Sequence, residues 1–478
     1  MYKSKLILLL KTLNKKEIKK LGEFVNSPFY NKNKNIKALF AVLINFHPDY
    51  ESKNIEIENI YKELFPGKEF NYYRISNVIS DLLQLAKMYL TVQAAESDSI
   101  KSKILLLEEF NKRNLEVFST QTDNEIKKDL ESLAIKDENF YLDNYLLNRS
   151  KSIYYKISGS NLEFNMLQAE YDSFYEYTLV TILKLFTKML YNKNHGKIEF
   201  NIKMFDEIWE YVKKTDLEGN TLYSIYKTII SLELEKDEKE YRKLLKLKDV
   251  YLSHLSDEDL YNIYIFMNSF ISYRLNKFGD EKYYNDRFMV LKETIDHGFI
   301  SPEYISFSDY TYFYIAACTV GEFEWAENFK DKFKTGIRPA EETDNSVNFC
   351  NAFINYRKKN FEKALDFFSK TNFKLYFLKV TVKSFTVRIL YEMNLEEQAL
   401  TALDAFRHYL KNEKLILEDQ KRAHYDFLKY TAELFKIRND HSGRDALDEL
   451  NEKILSMDNS AYGVKNWLLK KAEELVKS

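Results

Sequence analysis

No proline occurs between Pro66 and Pro302, and the whole chain of 478 residues holds only 5 Pro and 11 Gly. Proline removes a backbone donor and breaks helices and sheet ladders, and glycine marks turns. A chain this poor in both is built from long uninterrupted elements. No sustained alternation of apolar and polar residues bounded by turn residues is present, so strands are not expected. Gly159, Gly196, Gly219, Gly279 and Gly321 fall where helical patterns end, as left-handed caps do. The fold class expected is all-α.

Length and composition narrow this further. A chain of 478 residues exceeds one compact core, so several domains or one elongated array are expected. Hydrophobic residues at 45% and aromatics at 15% supply ample material for burial. The net charge of −2 conceals an asymmetry: residues 1–37 carry ten lysines against Glu17 and Glu23, a local +8. Such an end can attract nucleic acid, an anionic membrane or an acidic partner, although a charge run is most often a solvated face. Cys318 and Cys350, the two cysteines, form no paired motif and suit buried thiols in a reducing compartment. The run Leu6–Leu10 is too short for a signal-peptide core, and no stretch is apolar enough to span a membrane. A cytoplasmic location is the expectation.

Taken in order, helical spacing predicts helices over 3–13, 15–26, 36–46, 55–65 and from 71 past 90, a basic N-terminal helical domain over residues 1–95. Longer helices over 100–112, 115–133, 138–157 and 162–192 form a connecting region, 96–196. Helix pairs follow over 197–478: 199–214 with 219–235, 238–254 with 257–277, 280–297 with 301–319, with Pro302 in the first turn of the last. Residues 415–437, 442–456 and 461–477 complete the chain. In the final helix Trp467, Leu468, Ala472, Leu475 and Val476 share one face, while Lys465, Lys470, Lys471 and Glu474 stay polar.

Within this array one pattern recurs. Gly321-Glu-Phe323-Glu-Trp325-Ala326 is followed 38 positions later by Lys359-Asn-Phe361-Glu-Lys363-Ala364, and 35 after that by Asn394-Leu-Glu-Glu-Gln398-Ala399. A small turn, an aromatic and then Ala lets two helices approach closely, and such recurrence implies stacked helix pairs. Residues 308–412 thus resemble tetratricopeptide repeats, with Ala316 or Ala352 before the turn and Phe329, Phe368 or Leu403 after it. The third copy departs from the pattern, carrying Glu396 in place of the aromatic. The N-terminal region resembles uncharacterised bacterial all-helical proteins. The resemblance implies an α-solenoid of antiparallel helix pairs with a concave groove lined by the first helix of each pair. Its groove positions would be Thr311, Ile315, Cys318 and Thr319, then Phe349, Phe353, Tyr356 and Arg357, then Ser384, Arg388, Tyr391 and Glu392. Aromatic side chains and Arg make binding hot spots, because both present large rigid surfaces. The Lys-then-Asn pairs with which some such repeats clamp a peptide carboxylate are replaced by Phe349/Phe353 and Ser384/Arg388.

Motifs that carry chemistry are missing from the sequence. Seven scattered histidines, no glycine loop and no nucleophile elbow leave no catalytic, cofactor-binding or metal-binding residue to name. Asp257, Glu258 and Asp259 open a helix, where carboxylates favour the positive end of the dipole. The reading is a non-enzymatic scaffold that holds a protein or peptide in the repeat groove, without cofactor. The alternative is a nucleic-acid-binding regulator. Helix 55–64, Pro66-Gly67 and a helix opening at Asn71 resemble a helix-turn-helix, in which Asn71, Arg74 and Asn77 could reach base edges.

Overall fold

The structure, a computed structural model, describes residues 4–51, 55–158, 163–196, 198–416, 418–440, 444–457 and 463–477. These residues form an all-helical protein whose helices are labelled α1 to α23 in chain order. The two strands, β1 (Ile305–Ser306) and β2 (Ile337–Arg338), pair in parallel for two residues each. That pairing corrects one expectation. The helix predicted over 301–319 begins instead at Phe307, capped by Ser306, and Pro302 lies in the turn before β1 rather than in a first helical turn. Close approach makes Gly336 necessary there, since a Cβ would run into the carbonyl oxygen of Pro302.

Backbone contacts divide the chain into two units, one of residues 1–133 with 138–177 and one of 134–137 with 178–478. The sequence placed boundaries near 95 and 196. In the structure α5 (Tyr72–Ser97) and α6 (Ser99–Lys112) contact one another, and the division by contacts falls inside α9 (Glu163–Gly196).

The first unit opens with α1 (Lys5–Lys11), α2 (Lys15–Asn26) and α3 (Lys34–Ile44), which pack with α5, and α4 (Ile57–Leu64), which packs on α3. Of the apolar residues at helical spacing here, Leu6, Leu10, Leu13, Ile18, Leu21 and Val25 are buried and Leu9 is half-buried. Asn14 fixes the start of α2 through a capping box: it accepts from Lys16 N and Glu17 N at 2.9 and 3.1 Å, and Glu17 accepts from Asn14 N at 2.7 Å. Such a cap contributes about 1 kcal/mol. The lysines Lys5, Lys11, Lys15, Lys16, Lys19, Lys20, Lys32 and Lys34 are exposed, a solvated face over an apolar one. A smaller core, centred on Ile104, Leu107, Ile126, Leu130 and Leu147, joins α6 to α7 (Glu116–Ser132) and α8 (Glu138–Ser158).

Two large cores lie among the described residues of the later helices of the second unit. One gathers Phe313, Ala317, Phe329, Phe349, Phe353, Phe368 and Phe385 from α15 (Phe307–Val320) to α19 (Tyr376–Glu392). The other gathers Tyr391, Leu403, Phe427, Phe435, Trp467 and Leu468 from α19 to α23 (Val464–Lys477). At the start of α13 (Asp257–Phe278), Ser256 caps as carboxylate-rich helix starts predict, but Asp259 is fully buried. It accepts from the hydroxyls of Tyr226 and Ser256 at 2.6 Å each, and Lys184 lies 3.1 Å away, so its charge is compensated.

Candidate functional site

The three recurring turns share one backbone geometry. Gly321, Lys359 and Asn394 are all left-handed, with φ of 91°, 62° and 59°. In each, the next residue donates back across the turn: Glu322 N to Ala317 O at 3.0 Å, Asn360 N to Asn355 O at 2.8 Å, Leu395 N to Leu390 O at 3.0 Å. This six-to-one bond closes a helix end by satisfying carbonyls that would otherwise lack a partner. Ala326, Ala364 and Ala399 are fully buried behind the turns, where a longer side chain would force the helices apart. Glu396, standing where the aromatic would be, instead accepts from Asn439 Nδ2 on α21 (Glu418–Asp440) at 2.6 Å.

The same turn occurs in the first unit, where the sequence reading had not placed it. Asn114 has φ of 56°, and Leu115 N donates to Phe110 O at 3.0 Å. The sequence signal was present: Asn114-Leu-Glu116 followed by buried Ser119 parallels Asn394-Leu-Glu396 followed by Ala399.

The expected groove row is mostly not on the surface. Thr311, Cys318, Phe349, Phe353, Ser384, Arg388 and Tyr391 are buried, Ile315, Thr319, Tyr356 and Glu392 are half-buried, and only Arg357 is exposed. This burial has a packing cause: aromatic rings of neighbouring helices meet each other. The Phe349 ring stands edge-on to Phe368 and Phe373 at 5.7 and 5.8 Å. Phe353 and Tyr356 both pack edge-on to Phe385, at 5.2 and 5.0 Å. Arg357 extends from α17 (Thr343–Arg357) to donate to Thr319 O at 2.8 Å.

At the far end of the row the C-terminal helix closes over it. Trp467 lies edge-on to Tyr391 at 5.3 Å, and its indole N–H donates to Glu392 at 3.1 Å. The Arg388 guanidinium, 3% exposed, lies 4.8, 5.7 and 5.8 Å from the rings of Phe385, Phe427 and Trp467. Such cation–π contacts offset part of the cost of burying a charge. Lys471, expected on the polar face of α23, is buried, 2.8 Å from the Glu392 carboxylate. Asn466 then ties α23 to a point 187 residues earlier, donating to Gly279 O at 2.7 Å. Gly279 accommodates this doubly, with a φ of 65° and no Cβ to meet Asn466 Oδ1 at 2.5 Å.

Three arginines act on one phenol beside this seam. Burial pushes the Tyr284 hydroxyl up, the Glu281 carboxylate adds to that, and Arg287, Arg388 and Arg357 pull it back. Arg287 lies over the Tyr312 ring at 5.3 Å and donates to Ser272 Oγ at 3.0 Å. Tyr284, Arg287 and Tyr312 were not singled out from sequence, because no motif links α14 (Tyr283–Asp296) to the matched turns. His424, beside Arg388, is pushed down to about 4 by burial first and by that guanidinium second.

The two thiols face the interior. Burial pushes Cys318 up to about 12 and Cys350 well above its usual value, so both stay protonated and poorly nucleophilic at neutral pH. Among the described residues no three metal-ligating side chains are gathered, and no helix is long and apolar enough to cross a membrane. In the first unit, Asn71 caps α5 by accepting from Arg74 N at 3.0 Å, Arg74 lies 4.7 Å over the Phe65 ring, and Asn77 is exposed. Compared with known proteins, the chain finds no family model, no curated protein and no solved structure that matches it.

Proposed function

We propose that the protein is a non-enzymatic helical-repeat scaffold that holds an acidic segment of a protein partner on the inner helices of the second unit. The supporting observation is the pair of guanidiniums that the packing leaves accessible, Arg287 lying 5.3 Å over the Tyr312 ring and the exposed Arg357, both of which act on the Tyr284 phenol. Guanidiniums offer a planar fork of donors that matches a carboxylate, and phenols beside them add rigid contact area. The reading shifts the expected groove toward its first half. Phe349, Phe353, Arg388 and Tyr391 are part of the packing, and the side chains within reach of a partner are Arg287, Tyr312, Tyr356 and Arg357.

The test is affinity capture with full-length protein as bait, wild type beside Arg357→Glu. Arg357 is exposed and donates to a backbone carbonyl, that of Thr319, so the variant keeps the fold. The reading expects a partner retained by wild type, released by salt, and depleted at least tenfold by the charge reversal. An identical set of captured proteins with both baits contradicts it. Nucleic-acid binding through the N-terminal helices is the weaker reading, since Asn71 already serves as a cap and Arg74 lies on Phe65.

A further inference from the structure

The first half of α9 presents the opposite of a packed helix. From Phe164 to Thr178 no residue is buried. Phe164, Leu167, Tyr171 and Phe174 are 78%, 55%, 61% and 46% exposed. Their spacing of three, four and three is that of the a and d positions of a heptad, so the four lie in one stripe along the helix. Phe174 touches Tyr145 of α8 at 5.0 Å, which anchors one end of the stripe within the first unit. A stripe of large apolar side chains at this spacing is the surface a second helix covers.

Charge identifies what kind of helix. Residues 163–183 contain Glu163, Glu170, Asp172 and Glu176 and no Lys or Arg, in a chain with 71 of those cations. Glu170 occupies a flanking g position beside the stripe. Partial burial first, and the Asp172 carboxylate second, push Glu176 up. A second copy laid antiparallel on the same face would bring Glu170 of both copies to the same flank of the seam, where like charges repel. The basic helices α1 and α2 of this chain already bury their apolar sides in the N-terminal core.

We propose that the Phe164–Leu167–Tyr171–Phe174 stripe is the docking face for an amphipathic helix of a protein partner, with aliphatic residues at its a and d positions and Lys or Arg on its flanks. Contact is made as in a two-stranded coiled coil, with apolar side chains interleaved and the partner's cations beside Glu170.

The probe is a synthetic peptide of about four heptads with Leu at a and d and Lys at e and g, beside the same peptide with Glu at e and g. Binding to full-length protein is read by fluorescence anisotropy, for wild type, Leu167→Ser/Tyr171→Ser and Phe164→Ser. The expected result is saturable binding of the Lys peptide, at least tenfold weaker to the double variant and reduced by Phe164→Ser, with no binding of the Glu peptide. Equal binding of both peptides, binding indifferent to the substitutions, or no binding overturns the proposal. So does a wild-type dimer in sedimentation that the double variant dissociates, which would assign the stripe to a second copy. Unchanged circular dichroism and urea midpoints establish that the variants are folded.

Discussion

The helix α19 and the first half of α9 use the same residue types to opposite ends. In α19, Leu378, Val380, Phe385, Val387, Ile389, Leu390 and Tyr391 are buried, along with Arg388. In α9, Phe164, Leu167, Tyr171 and Phe174 all face outward. Their large apolar residues do not tell these helices apart; neighbours do. α19 has α18 (Phe361–Ser369) and α20 (Glu396–Asn412) packed against it, with Trp467 of α23 added at its end. An apolar helical face is core or docking surface according to whether the chain supplies a helix to cover it.

The largest expected effect falls in the covered region. Phe349→Ala leaves a void beside Phe368 and Phe373 and should cost about 3–5 kcal/mol, read as a lowered urea midpoint. A loss below about 1 kcal/mol would mean the seam is loose and the contrast with α9 weaker than drawn. Next comes pH. His424 has its folded value held near 4 against the usual 6.5, so the unfolded chain binds its proton first as pH falls. Stability is therefore fully present above about 6.5 and is lost toward 4, by about 3 kcal/mol. His424→Gln should flatten urea midpoints between those pH values. A profile as steep as wild type would show that the imidazole is not sealed beside Arg388.

Ala364→Leu sharpens the comparison at the turn. It forces a larger side chain between α17 and α18 and should cost about 1–3 kcal/mol in the same assay. Smallest of all is Leu167→Ser/Tyr171→Ser in α9, expected within about 0.5 kcal/mol of wild type because exposed positions lose little on truncation. A drop of several kcal/mol there would mean that the stripe is covered in the folded chain.

Helix positions were largely legible because turn chemistry is local. Gly321 and Asn394 announce left-handed turns in the sequence, and Ala326, Ala364 and Ala399 mark the close approach behind them. Lys359, a residue type that rarely takes a positive φ, was legible only through its likeness to the other two copies. The two-residue pairing of Ile305–Ser306 with Ile337–Arg338 was not, since two residues cannot show a period. The surroundings of the candidate site were less legible, for a physical reason. Spacing reveals which side of α17 or α19 is apolar, but not that Trp467 and Asn466 return from the end of the chain to meet Tyr391 and Gly279. The exposure of α9 escaped notice likewise: a helix that lacks a partner is written like one that has it.

One matched pair of substitutions tests the central contrast most directly. Urea unfolding of Phe353→Ala and Phe164→Ala compares the same truncation in a sealed seam and on an open stripe. The expected result is a loss of about 3–5 kcal/mol for Phe353→Ala and of no more than about 0.5 kcal/mol for Phe164→Ala. Equal losses, or a larger loss at Phe164, would contradict the account.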